Sequence, residues 1–184
     1  MINKLIVFSL CMTFVFSAYS QKYFTKSGDI SFFSSTPIEN IEATSNSASS
    51  VFDLSSGKIQ WAVLIKSFEF EKALMQEHFN ENYMESSKYP KAKFSGAISN
   101  IEELDLTTNG TYPLNINGIL NIHGVDKEVN ASAVFEIDNG VITGGCTLKI
   151  AVADFGIDIP SVVKDNIAKE LEIRIKALYE ILDK

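Results

Sequence analysis

The spacing of apolar and polar residues changes period once along this chain. Between Glu71 and Tyr83, Leu74, Met75, His78, Phe79 and Tyr83 share one face with Asn82, while Gln76, Glu77, Asn80 and Glu81 take the other. Positions i and i+4 stack on one side of an α-helix, so this stretch predicts a single amphipathic helix. Tyr89-Pro90 ends it, because a residue before proline is pushed out of the α region.

Around the helix the period is two, which is strand spacing. Ile59, Trp61, Val63 and Ile65 alternate with Lys58, Gln60, Ala62 and Leu64, and Phe68 and Phe70 carry that strand on to the helix. Ala92, Phe94, Gly96 and Ile98 resume the alternation after Pro90. Tyr112, Leu114, Ile116, Leu120 and Ile122 share the next face, and Gly118 in mid-run predicts a bulge or sharp bend. His123-Gly124 turns the chain into Val129, Ala131, Ala133, Phe135 and Ile137, and Asp138-Asn139-Gly140 is a hairpin signal before Cys146, Leu148, Ile150 and Val152. Residues 154–169 predict a loop with one helical turn after Pro160. In the last element Lys, Glu, Leu and Ala favour helix. Strict alternation of Leu171, Ile173, Ile175, Ala177 and Tyr179 with Glu172, Arg174 and Lys176 predicts a strand instead.

The opening is polar. Short apolar pieces at 30–33, 38–41 and 51–54 predict short strands, with the Ser-rich run 44–50 as turn or linker. About eight hairpin-linked strands and one helix make an all-β protein, a closed antiparallel barrel with the amphipathic helix packed at its mouth. A barrel of that size has an interior that side chains fill or that holds one small ligand.

Residues 1–20 carry a different signal. Lys4, the apolar run Leu5 to Phe16 and the small residues of Ala18-Tyr19-Ser20 predict a secretory signal peptide cut near Ser20-Gln21, hence a periplasmic or secreted protein. Cys11 lies inside the apolar run rather than after it, which disfavours a lipid-modified terminus. The remainder, 21–184, suits one domain, and no further apolar stretch reaches the length of a membrane span. The net charge of −7 argues against nucleic acid, whose affinity depends on neutralising phosphates, and against anionic lipid surfaces. Beyond residue 20 the one cysteine is Cys146, so stability has to come from packing without a disulfide.

Candidate chemistry is sparse. A hydrolytic site needs a nucleophile, a base and a group that orients the base. His78, His123 and Cys146 lie on unrelated elements, so no catalytic residue is assigned and no enzyme is expected. Two isolated histidines without paired ligands give no metal site, and no phosphate-binding glycine loop or dinucleotide fingerprint occurs. The aromatic and methionine content around the helix is what remains.

With the helix, Tyr89-Pro90 and the hairpin Gly118-x-Leu120-x-Ile122-His123-Gly124 in view, the chain resembles the YceI-like family over roughly Ile59 to Ile175. The segments that carry the resemblance are His78 to Gly96, Asn117 to Val129 and Asp154 to Ile173. Many relatives have an aromatic pair where this chain has Tyr83-Met84 and a threonine at Asn121, and the stretch before Ser56 is unlike the usual family opening. The resemblance implies an exported lipocalin-like barrel holding a long-chain apolar small molecule, an isoprenoid or isoprenoid quinone, in a long internal cavity. It implies no catalytic set and no other cofactor, and leaves monomer and dimer open. Trp61, Phe68, Phe70, Leu74, Met75, His78, Phe79, Tyr83, Met84, Tyr89 and Phe94 are the candidate ligand contacts. The alternative is a barrel with a filled core acting as a structural or protein-interaction module.

Overall fold

Alternation of inward apolar and outward polar side chains closes the chain on itself. The computed structural model describes residues 21–182, so the signal-peptide reading of 1–20 lies outside the described residues. The strands are β1 (Lys22–Ser35), β2 (Asn40–Asp53), β3 (Lys58–Leu64), the two-residue β4 (Glu69–Phe70), β5 (Lys91–Ile98), β6 (Gly110–Ile122), β7 (Val125–Asp138), β8 (Val141–Ala151) and β9 (Glu170–Ile181). All pairs are antiparallel in the order β1-β9-β8-β7-β6-β5-β3-β2, and β1 pairs back on β2 to close an eight-stranded barrel. The predicted fold class is the observed one.

The opening departs most from expectation. Instead of short strands and a serine linker, β1 and β2 are 14 residues each. The inward stripe of β2 is Ala43, Ser45, Ala48, Ser50 and Phe52, all buried, and a register shift opposite Gly28 explains the three-residue step from 45 to 48. Small polar side chains hid the alternation. They are tolerated inside because they find partners: Ser45 Oγ lies 2.7 Å from Ser67 Oγ, and Ser50 Oγ lies 2.8 Å from the Tyr179 hydroxyl.

Two local expectations also change. Phe68 and Phe70 do not extend β3, because the chain leaves it in a 3-10 turn at Ile65–Ser67 and β4 pairs with Ala43 and Thr44 of β2. Gly118 forms no bulge; it pairs in register with Gly96 and Val129. The hairpins fall where expected, with left-handed pairs His123 (φ 53°), Gly124 (φ 76°) and Asn139 (φ 49°), Gly140 (φ 83°), as two-residue turns between twisted strands require.

The two ends of the barrel differ. At one end Tyr23, Phe52, Ile59, Ile98, Leu114, Phe135, Ile137 and Tyr179 pack together, and Leu104 of the β5–β6 connection plugs them from below. The other end is roofed by helix α1 (Ala73–His78), the β1–β2 turn and the β8–β9 connection. The helix is shorter than predicted. It widens into a π turn at Phe79–Tyr83, and Glu85 in a left-handed conformation (φ 42°) stops it before Pro90 is reached.

Candidate ligand-binding cavity

A cavity of about 370 Å3 occupies the half of the barrel beneath the helix. Binding sites for small molecules run to about 300–1,000 Å3 and are mostly apolar. Its walls are the inward residues of the strands, among them Ile30, Val63, Ala92, Leu120, Ile122, Ala131, Leu148, Ile150, Ile173 and Ile175. A few polar residues, among them Ser34, Glu39, His78, Lys93 and Asn166, also belong to the lining, but most of the wall is apolar, and a hydrocarbon chain gains from every apolar surface it covers.

At the mouth four phenylalanines from three elements meet. Phe32 of β1 lies 5.5 Å from Phe68, 5.8 Å from Phe70 and 5.4 Å from Phe79, ring centre to ring centre, and Phe79 is 5.0 Å from Phe70. This cluster fastens the helix to the barrel wall while leaving ring faces on the cavity. Met75, His78 and Tyr83 complete the helical side, and Met84 is buried below it with Ile65, Ile122, Ile150 and Phe155.

A polar clasp closes the rim. Glu39 of the β1–β2 turn accepts from Lys72 Nζ at 3.0 Å and, through its other oxygen, from Asn166 Nδ2 at 3.1 Å. The Lys72 hydrogen bond, then that from Asn166, holds the Glu39 carboxyl below its usual range. The Ala168 amide donates to Ser34 Oγ at 2.8 Å. One carboxylate thus ties together the three segments that roof the cavity.

Of the candidate contacts named from sequence, Trp61, Phe68, Phe70, Met75, His78, Phe79, Tyr83, Met84 and Phe94 line the cavity. Leu74 does not. It is 62% exposed, because the inward stripe runs through Met75 and Phe79 and a neighbouring helical position is turned by about 100°. Tyr89 does not either: its ring packs 4.5 Å from that of His123 and over Gly124, on the outer side of the helix connection. His123 bonds Glu85 Oε2 at 2.9 Å and the Phe155 carbonyl at 3.3 Å, which anchors that connection. Sequence reasoning missed Phe32, Glu39 and Tyr179. The first was hidden in the polar opening, and the second has partners 33 and 127 residues away, which no local pattern reveals.

Cys146 is part of the wall, and burial pushes its thiol pKa up, which disfavours the thiolate a nucleophile needs. Among the described residues no group of three or more His, Cys, Asp or Glu is placed to hold a metal ion. Among the same residues no helix is long and apolar enough to cross a membrane.

A closed antiparallel eight-stranded barrel with an apolar cavity opening beneath a short helix is a lipocalin-like barrel. The chain belongs to the YceI-like domain family, whose model matches residues 14–178. The match takes in β1 and β2, so the opening set apart from the family by its sequence falls within the domain. A polyisoprenoid binding domain from Saccharophagus degradans, implicated in plant cell wall breakdown, superposes with a TM-score of 0.77 at 14% identity, over 89% of this chain and 99% of that one. BcnA from Burkholderia cenocepacia gives 0.68 at 19% identity, over 83% and 96%. The YceI protein of Campylobacter jejuni gives 0.60 at 19% identity, over 82% and 90%. At such identities the likeness establishes a common fold. No curated protein matches the sequence.

Proposed function

We propose that this protein is an exported, non-enzymatic carrier or store that holds an isoprenoid, an isoprenoid quinone or another long apolar molecule in its barrel. The observation that carries the reading is the cavity itself, predominantly apolar and roofed by a helix on a polar clasp. The Saccharophagus degradans domain, described as binding polyisoprenoids, shares this barrel and supports the same ligand class here. The leader-like pattern at 1–20 supports export, and delivery to an envelope compartment brings such a protein close to membrane lipids.

The energetics suffice. At about 0.3 kcal/mol per heavy atom, a ligand of roughly 20–40 atoms gains ~6–12 kcal/mol, from tens of micromolar to near nanomolar. Protein purified from its native envelope, extracted with organic solvent and analysed by mass spectrometry, should release one apolar lipid per chain. An empty extract, with no uptake of an apolar dye by the extracted protein, leaves the filled barrel as the account.

A further inference from the structure

The cavity stops half-way down the barrel because of a layer of aromatic rings, each seated on a glycine. Trp61 of β3 lies over Gly28, where a Cβ would stand 2.8 Å from Cζ3 of the indole. Phe94, paired with Trp61 across β3 and β5, lies over the facing pair Gly96 and Gly118, where added Cβ atoms would stand 2.5 and 2.8 Å from its Cζ. On the far wall Phe135 and Tyr179 are stacked at 5.8 Å above Gly144, whose Cβ would meet them at 3.1 and 3.0 Å. The missing Cβ atoms make room for these rings and, at Gly96 and Gly118, for the close approach of the two strands, and Trp61 reaches across the bore to meet Tyr179 edge-on at 6.5 Å.

The layer is braced. Tyr179 accepts a hydrogen bond from the Trp61 side chain, and its hydroxyl lies 2.8 Å from Ser50 Oγ. Beneath it Phe52, Leu114 and Ile137, none of which lines the cavity, are at most 2% exposed, so no channel continues to the closed end. All four rings also belong to the cavity lining, which makes them its floor.

We propose that this aromatic floor is a length gauge: Trp61 and Phe94 set the longest apolar chain that is taken up whole, and any longer chain leaves its remainder outside the mouth. The proposal rests on the carrier reading above. Affinity then rises with chain length while each added unit finds apolar wall, and levels off when the chain end meets the floor.

The test is displacement of Nile red from the extracted full chain by geraniol, farnesol, geranylgeraniol and geranylfarnesol, which lengthen by one isoprene unit at each step. In the unaltered protein affinity climbs along the series and then levels. In Trp61→Ala or Phe94→Ala, each of which deepens the bore by about one ring, the levelling point moves one isoprene unit further. The newly accommodated prenol gains about tenfold relative to the one before it. Phe70→Ala at the mouth weakens all four together and leaves the levelling point in place. Should Trp61→Ala fail to fold, Phe94→Ala and Phe94→Leu give the same reading without touching the Tyr179 bond. Folded floor variants with an unmoved levelling point overturn the gauge while leaving the carrier intact. Unaltered protein that takes up neither Nile red nor any prenol overturns both.

Discussion

Phe79 stacks on Phe32 at 5.4 Å, with the rings 27° from parallel, and through that contact the helix is held on the barrel. Both rings also face the cavity. Phe79→Ala should therefore cost less stability than a core truncation, about 1–2 kcal/mol against about 3–5 kcal/mol for Phe52→Ala in the solid half. The same change should weaken uptake of an apolar dye about tenfold, which Phe52→Ala should not do directly. Chemical denaturation and dye titration of both variants separate a cavity wall from a plug.

The Glu39 clasp sets a pH dependence. Hydrogen bonds from Lys72 and Asn166 lower the carboxyl's folded pKa below its ordinary 4.5. A depressed carboxylate stabilises the closed roof above the ordinary value and loses that contribution as pH falls through the folded value. Stopped-flow release of a bound dye should accelerate below about pH 4, and Glu39→Gln should release fast already at neutral pH with a flatter acid response. An unchanged profile in Glu39→Gln would remove the clasp from the account.

Cys146 reports on occupancy from within the wall. Burial raises its thiol pKa, so the thiolate is scarce near neutral pH and labelling should be slow. Filling the cavity with an apolar dye should slow it further, and labelling with a bulky maleimide should block later dye uptake. Labelling rates followed by intact mass, with and without dye, show whether the thiol and the dye share one space.

Two hairpin glycines separate backbone strain from crowding. Gly124 (φ +76°) lies under Tyr89, where a Cβ would stand 2.5 Å from the ring, whereas Gly140 (φ +83°) has nothing within 4 Å. Gly140→Ala should cost only the left-handed conformation, about 1–2 kcal/mol. Gly124→Ala should cost distinctly more and loosen the Tyr89–His123 packing, as thermal unfolding of the pair would show.

β3 and the strands from β5 to β9 were legible because each alternates apolar with polar residues, whereas the two residues of β4 are too few to show a period and merge with β3 in the sequence. Even the ambiguous β9 declared itself through Ile173 and Ile175. The first hairpin was not, because alanine and serine serve as inward residues there and the bulge opposite Gly28 breaks the period. Local spacing placed Met75, His78, Phe79 and Tyr83 on the helix's inner side but added Leu74, since a stripe one residue too wide fits the same pattern. Whether a barrel is hollow depends on how rings from different strands meet inside it, and Gly28 beneath Trp61 and Gly118 beneath Phe94 act from other strands. Gly118, where the sequence predicts a bulge or sharp bend, is such a seat.

Trp61 is the single tryptophan of the chain and lines the cavity, so its emission reports the central claim directly. Titration of the extracted protein with a brominated long-chain fatty acid, a contact quencher, should quench Trp61 saturably at one chain per protein. The unbrominated acid should reverse the quenching. Emission that stays unquenched, or falls linearly without saturation in protein that remains folded, would contradict an apolar chain held inside the barrel.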